Sequence, residues 1–502
     1  MERRFYDVIE LQKKLLEMSD ESINEIKDEI SQSSFIKTKR KLNVVLSFLH
    51  IILEIRPNYH NYVIELIHAL SEPIKSFFDS EELISIFQNN FTIVLILLEM
   101  KIISIESIFN KAIQSTHYFL FFQYQLLDYS PEFVKDYWQK CQRNLRHFNI
   151  PNFLIFNPLK KEEEKQESRE MHHQFCMRGR NEEKITEVIR NDDIEQFQSL
   201  ISMNNIKFES KINHSIYESI DFINNRNNLP SLIEYSAFFC SQKIFKFLFL
   251  QIENLPPNLP YYAIAGGNYE IIHLLESRHI LYDSVWISTA IEHHQNEIFE
   301  YIKNNLSNED VYKFITSESC LLPSIINYNL EIFLNYVDSF DVNETNDVDH
   351  WNPLLCAVAS NHLDIVKFLY KKYHVNLNVK TTMKNDALLI ASSKGYLDIV
   401  KFLLRTKKID VNSQNDIGES ALHIAAKKSF LNIIMYLVKK DNIDINIRDT
   451  ILFYIFSYVR DETPLISASR HGNLKVVRFL LTLQNIDISI KNNEGIFTFC
   501  FL

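Results

Sequence analysis

Only seven of the 502 residues are glycine, and neither GxGxxG nor GxxxxGK occurs, so the chain holds no glycine-rich cradle for phosphate. The six cysteines, Cys141, Cys176, Cys240, Cys320, Cys356 and Cys500, are far apart and form no CxxC pair. They fit reduced, mostly buried thiols, and hence a protein of the cytoplasm or nucleus. No run approaches the roughly 20 apolar residues of a membrane span, and Met1-Glu-Arg-Arg-Phe-Tyr-Asp7 lacks the apolar core of a secretory leader. Basic charge is short as well: 53 Lys and Arg against 64 Asp and Glu leave −11. Phosphate contacts need a basic surface, so no nucleic-acid partner is expected.

Chemical signatures are missing too. His172-His173 and Glu292-His293-His294 have neither HExxH spacing nor cysteine company, so packed or surface histidines are expected. No Cys-His or Ser-His-Asp local signature occurs. The expectation is no catalytic residue, no metal and no cofactor.

What is present is one phrase written four times. It runs Asn352-Pro-Leu-Leu-Cys-Ala-Val-Ala-Ser-Asn361, Asp386-Ala-Leu-Leu-Ile-Ala-Ser-Ser-Lys-Gly395, Ser420-Ala-Leu-His-Ile-Ala-Ala426 and Thr463-Pro-Leu-Ile-Ser-Ala-Ser-Arg-His-Gly472. Taking the Leu of each opening as anchor gives Leu354, Leu388, Leu422 and Leu465, and the first two spacings are 34 residues, a solenoid period. A hydroxyl or Asx side chain before the first helix caps it, and Pro at the next position loses no hydrogen bond. Ala357, Ala391, Ala425 and Ala468, three after the anchors, predict a small-residue face where neighbouring helices approach. Asn361, Gly395 and Gly472, seven after, suit a left-handed helix end, with Ser429 the exception. A second helix follows with its apolar stripe, as in Leu397, Val400, Phe402, Leu403 and Leu404. One such pair cannot bury its own face, so stacking is obligatory.

The Thr-Pro-Leu-His pattern with paired small residues, spread over Thr463-Pro-Leu465 and Leu422-His423, resembles the ankyrin repeat. The resemblance implies an all-α fold, with a helical N-terminal domain followed by an ankyrin-repeat α-solenoid. It gives His423 a part in loop hydrogen bonds. Degenerate copies anchor at Ile233, Pro260, Ile287 and Leu321, spaced 27, 27 and 34, with 33 more to Leu354. Residues near Ile185–Leu200 look like a capping repeat. Short repeats leave no room for a long finger, so a flatter edge is expected there.

Residues 1–157 show no strand alternation. Helices are expected near Tyr6–Met18, Asn43–Ile55, Tyr62–Leu70, Glu82–Phe87 and Phe91–Glu99, with breaks at Pro57, Pro73 and Pro131. The aromatic stripe Tyr118-Phe-Leu-Phe-Phe122 with Phe133, Tyr137 and Trp138 is expected as core. Lys37-Thr-Lys-Arg-Lys41 is expected as a solvated helix start rather than an import signal. The mixed-charge run Lys160–Glu170 makes 158–180 a charged linker or hinge helix, followed by short repeats over 181–345 and regular ones over 346–502. With its helical N-terminal region the whole chain resembles ankyrin proteins of protists, a likeness that implies architecture alone.

Two departures remain. Leu422 and Leu465 are 43 apart because of an apolar insert, Ile451–Val459. It folds back as a cap, or is an arm for a partner or second copy, or is not native sequence at all. The third reading is favoured because the 34-residue register resumes on both sides. Gly495–Phe499 keeps register for a further repeat, whose helices do not follow in this sequence, so a truncated last repeat is expected.

The expected function is non-catalytic: a protein-protein interaction scaffold or adaptor. The rivals are an enzyme with a site in the N-terminal helices and a structural linker to membrane or cytoskeleton. In an ankyrin stack residues five and six after each anchor face the concave groove. The resemblance thus assigns partner binding to Ala359-Ser360, Ser393-Lys394, Lys427-Lys428 and Arg470-His471 as a basic stripe. Finger positions add Trp351, Asp349, Met383, Ile417 and Glu419, with Trp351 the expected hot spot.

Overall fold

The computed structural model describes residues 2–87, 90–141, 162–225, 227–278, 283–306, 315–346, 348–449, 461–493 and 495. The insert 451–459 and the final residues 496–502 lie outside them. Among the described residues the chain is all-α, as expected: thirty-one α-helices, no strand and two isolated β-bridges. Two compact units divide it, Glu2–Asn304 and Asn305–Leu502.

In the first unit α1 to α6 are Glu2–Leu16, Ile23–Gln32, Lys39–Ile55, His60–Ala69, Ser71–Phe77 and Ser80–Ile86. Next come α7 to α11: Phe91–Glu99, Ile105–Gln114, Thr116–Phe121, Gln123–Tyr129 and Pro131–Cys141. The basic run opens α3, where Thr38 Oγ1 accepts from Lys41 N and Lys39 pairs with Glu82 at 2.5 Å. Pro73 is no break; it sits in the first turn of α5, where its missing N–H has no intrahelical partner to lose. Helix α7, apolar on every side, is buried from Thr92 to Leu97. The aromatic stripe is core: the Phe119 ring lies 4.2 Å from Tyr137 and 5.8 Å from Trp138.

Helix α12, Glu162–Arg178, carries the mixed-charge run, and its later turns are packed. Ser168, His172 and Cys176, four residues apart, are buried, while Arg169 reaches Asp128 and His173 pairs with Glu99 at 2.7 Å. Gly179 closes the helix with φ +60, and a Cβ there would meet His60 and Thr92 at 2.9 Å.

Short helix pairs complete this unit: α13 Lys184–Arg190 with α14 Ile194–Asn204, and, past the short α15 Asp221–Asn224, α16 Leu232–Phe238 with α17 Gln242–Gln251. Then come α18 Leu259–Gly266 with α19 Tyr269–Ser277, and α20 Ser284–Glu292 with α21 Asn296–Asn305. First helices stack on first helices, α16 on α18 and α18 on α20. Ser236, Ala263 and Ala290, three after the anchors, are fully buried at that contact.

The second unit continues the pattern with α22 Leu322–Ile326 and α23 Leu330–Tyr336, then α24 Pro353–Ala359 and α25 Leu363–Lys372. The remaining pairs are α26 Ala387–Lys394 with α27 Leu397–Arg405, α28 Ala421–Lys427 with α29 Leu431–Leu437, and α30 Pro464–Arg470 with α31 Leu474–Leu480. Helices α22, α24, α26, α28 and α30 touch in succession through Ser324, Ala357, Ala391, Ala425 and Ala468, all fully buried.

The turn between paired helices is the same throughout. Cys240, Gly267, His294, Tyr328, Asn361, Gly395, Ser429 and Gly472, each seven after its anchor, all have positive φ. A non-glycine residue there is strained by its Cβ, at roughly 1–2 kcal/mol. Ser429 is exposed, so Ser429→Gly removes strain without losing packing. Urea or thermal unfolding should find Ser429→Gly more stable by about 1 kcal/mol and Ala391→Leu less stable by roughly 1–3 kcal/mol through overpacking. Shifts of the same sign would contradict the shared turn and close-approach geometry.

Candidate functional site

Hairpin-like fingers precede the first helices of the regular repeats. His350, Lys384, Gly418 and Asp461, four before the anchors, take positive φ and turn each finger back; Gly495 repeats this past the last described pair. Within fingers Asn346 N donates to Trp351 O, Thr381 N to Asn385 O and Asn415 N to Glu419 O, at 2.8 to 3.1 Å. Between fingers Thr382 N donates to Asp349 O, and Asp416 N to Met383 O, both at 3.1 Å. The tips are thereby held in one row: Asp349 and Met383 exposed, Trp351 and Ile417 half-buried. Met383 is 64% exposed and Val348, beside Asp349, 74%.

An asparagine ladder lies at the other edge of the loops. Asn412 donates to Asn442 O at 2.6 Å and accepts from Asp444 N at 2.9 Å; Asn446 does the same with Asn485 O and Asp487 N, both at 2.9 Å. Asn378 donates to Lys408 O at 3.2 Å. These residues were missed in the sequence although Asn378, Asn412 and Asn446 recur every 34 residues. The last step joins 446 to 485–487, so the repeat after the insert docks in register.

The ends of the first helices are more polar than basic. Lys394 and Lys428 are exposed and make no ion pair with described residues. Lys427 pairs with Glu419 at 3.1 Å, and Arg470 with the buried Glu462 at 2.5 Å. Ser393 Oγ donates to Ile390 O, while the His471 ring donates to Ser467 O. The stripe is therefore interrupted: two of its cations are neutralised within their own repeats. His423 is buried, accepts from Ser420 Oγ at 2.9 Å and donates to Glu462 O at 3.0 Å, which is the loop-bridging part its resemblance implied.

Equivalent positions in the short repeats of the first unit are partly covered by α3 and α15 of that unit, whereas Ile326 at the end of α22 is exposed. Arg56, just past α3, donates to His293 O at 3.0 Å and His294 O at 3.4 Å, and the Phe48 ring lies 5.4 Å from His294. Phe222 in α15 packs on His293 at 4.7 Å and on Tyr262 at 5.0 Å. Phe238, which also packs on Phe222, and His293 are buried there. Nearby, Glu54 accepts from Asp221 N, and burial with the Asp221 and Glu218 carboxylates pushes its pKa up to about 8.

The N-terminal helices hold one arrangement with enzyme-like geometry. Cys176 Sγ is 3.3 Å from His172 Nε2, and His172 Nδ1 is 2.9 Å from the Tyr217 hydroxyl. It is not a nucleophile pair. His172 Nε2 already donates to Phe121 O at 2.8 Å, leaving Nδ1 to accept from Tyr217, so no ring lone pair faces the thiol. Burial pushes the Cys176 thiol well above its usual pKa. A groove of about 510 Å³ opens beside α12, lined by Glu99, Tyr124, Arg169 and His173 among others. Two of its charged pairs are closed, His173 with Glu99 and Arg169 with Asp128, and Glu170 accepts from the Gln166 amide at 2.7 Å. No metal-binding cluster occurs among the described residues, and no described helix is long and apolar enough to cross a membrane.

Fold and site together define a stacked helix-pair solenoid with hairpin fingers. Its C-terminal region carries ankyrin repeats: the family model "Ankyrin repeats (3 copies)" matches residues 287–415 and again 388–492. Anchors from Ile287 to Leu465 fall inside these stretches; Ile233 and Pro260 fall outside. No curated protein matches the chain.

Burial holds the His423 pKa down to about 4, against roughly 6.5 when unfolded. The fold thus favours the neutral ring; that support is complete above pH 6.5 and lost as pH falls toward 4. Between pH 7 and pH 5 the loss is about 2 kcal/mol for this one residue. Urea titrations at the two pH values should find His423→Gln losing correspondingly less than the parent; equal losses would contradict a neutral, bridging His423.

Proposed function

We propose that this chain is a non-catalytic scaffold or adaptor whose regular repeats bind another protein. The binding residues are the finger positions Trp351, Asp349, Met383, Ile417 and Glu419 with the helix ends Ser393, Lys394, Lys427, Lys428, Arg470 and His471. The observation that carries this reading is the contrast between the two sets of repeats. Five and six residues after the anchor, Phe238, Phe239, Ala265 and His293 of the short repeats in the first unit are buried, Phe238 and His293 against Phe222 of α15, whereas Lys394, Lys427, Lys428 and His471 are exposed. An extended surface of this kind is what stacked repeats offer a partner.

In this arrangement α3 and α15 act as a cover for the short repeats of their own unit, and the regular repeats do the binding. The partner meets a half-buried Trp351 beside exposed Met383, an apolar anchor within a polar rim. Lys394 and Lys428 supply the unpaired positive charge, which favours acidic partners and acts mainly on the association rate. Free Cys176, Cys240 and Cys356 suit a reducing compartment, the cytoplasm or nucleus.

Affinity capture with the intact chain, read by mass spectrometry, tests the proposal. Lys394→Glu with Lys428→Glu should slow association of the captured partner at least about tenfold, and Trp351→Ala should weaken the complex by on the order of 2 kcal/mol. Reversal at Lys427 should do less, because Glu419 already neutralises it. Binding untouched by all of these variants would place the partner elsewhere.

A further inference from the structure

Residues 363–408 hold ten Lys and Arg against three Asp and Glu, within a chain that carries −11 overall. None of the three acids is spare: Asp386 caps α26, Asp364 accepts the Tyr328 hydroxyl and Asp398 lies 3.5 Å from Lys401. The cations recur on the outer helices at fixed repeat positions. Lys367, Lys401 and Arg478 stand thirteen after their anchors; Lys371, Arg405 and Lys439 stand seventeen after. Positions four apart share one helix face. Helix α27 touches α29 and α29 touches α31, so equivalent residues on touching helices are about 10 Å apart.

The row continues past the helices. Lys407 and Lys408 follow α27, and Asn378 holds the Lys408 carbonyl at 3.2 Å. Lys371, Arg405, Lys407, Lys439 and Arg478 are exposed and make no ion pair with described residues. Attraction to helix C-termini accounts for Lys371 and Arg405 in last turns, but not for Lys407, Lys408 or Lys439 beyond them. Beneath the ammonium groups lie half-buried rings. Lys408 sits 5.2 Å over Tyr370, Lys367 5.5 Å over Phe402 and Lys440 4.2 Å over Tyr436. Met435, at the thirteenth position of its repeat, adds an exposed apolar side chain to the same face.

We propose that this outer-helix face docks on a membrane surface of negatively charged lipid headgroups. Long cationic stems over aromatic and aliphatic groups are what the bilayer interface accommodates: the charge meets phosphate and the stem meets the glycerol region. Nucleic-acid bases would need open ring faces, and here the rings lie under lysines. The net charge of −11 opposes approach elsewhere on average, so this cationic face is the one turned toward the anionic surface.

Vesicle flotation with the full chain tests the proposal, using phosphatidylcholine alone and phosphatidylcholine with phosphatidylserine. Binding is expected only to the anionic vesicles and should weaken with salt. It should fall at least about tenfold in Lys371→Glu/Arg405→Glu/Lys439→Glu and persist in Lys394→Glu/Lys428→Glu. If the triple variant melts early, Arg405→Glu is compared with Arg405→Lys, and a loss confined to the Glu variant supports the proposal. Three outcomes overturn it: no binding to anionic vesicles at low salt, equal binding to neutral ones, or binding unchanged by the outer-helix reversals. Preference for polyglutamate or duplex DNA over vesicles of equal charge also overturns it, assigning the face to an acidic polypeptide or to nucleic acid.

Discussion

Close approach between first helices is the constraint on which the rest depends. It requires a side chain no larger than Ala or Ser three residues after each anchor, from Ser236 to Ala468, and every such position is fully buried. A helix pair this tight must also reverse within one residue, and the left-handed turn seven after the anchor does so in each repeat. Cys240, His294, Tyr328 and Ser429 adopt that turn without being glycine. The stack therefore tolerates local strain of roughly 1–2 kcal/mol per site to keep its spacing. With spacing fixed, loops arrive at constant distances, which is why one asparagine can span to the next repeat at Asn378, Asn412 and Asn446.

Given the same scaffold, the two kinds of repeat present their helix ends differently. In the first unit α3 and α15 fill that surface, with Arg56 tied to the His293 and His294 carbonyls. Regular repeats instead project fingers, and their helix ends carry charges balanced partly by Glu419 and Glu462. Burial also makes the covered surface sensitive to pH from both directions. His293 is held down to about 4, so its support weakens as acidification passes below 6.5. Glu54 is pushed up to about 8, so its proton is lost, and a buried charge created, as pH rises through that value.

The regular array was legible because its signals are local. Caps such as Asn352, Asp386, Ser420 and Thr463 each accept the hydrogen bond their position implies. The degenerate anchors at Ile233, Pro260, Ile287 and Leu321 are each followed seven residues later by a positive φ, the same turn as in the regular array. The N-terminal helices were recognisable as helices but not as a cover. Nothing in Ile55-Arg56 names His293 as its partner, since that contact joins residues 237 apart. Neutralisation of Lys427 and Arg470 was equally hidden, because Glu419 reads as a finger residue and nothing local marks Glu462 as the partner of Arg470. Pro73 misled for a simpler reason: the first turn of a helix accepts proline as readily as a break does.

The central claim, that a partner engages the regular repeats while the short ones stay covered, is tested most directly by amide hydrogen exchange of the chain with and without its captured partner. Protection should rise at 383–395, 417–429 and 470–472, the fingers and first-helix ends, and remain unchanged at 235–241 and 290–295. New protection confined to the short repeats or to α1–α12, with the regular repeats unaltered, would contradict the account.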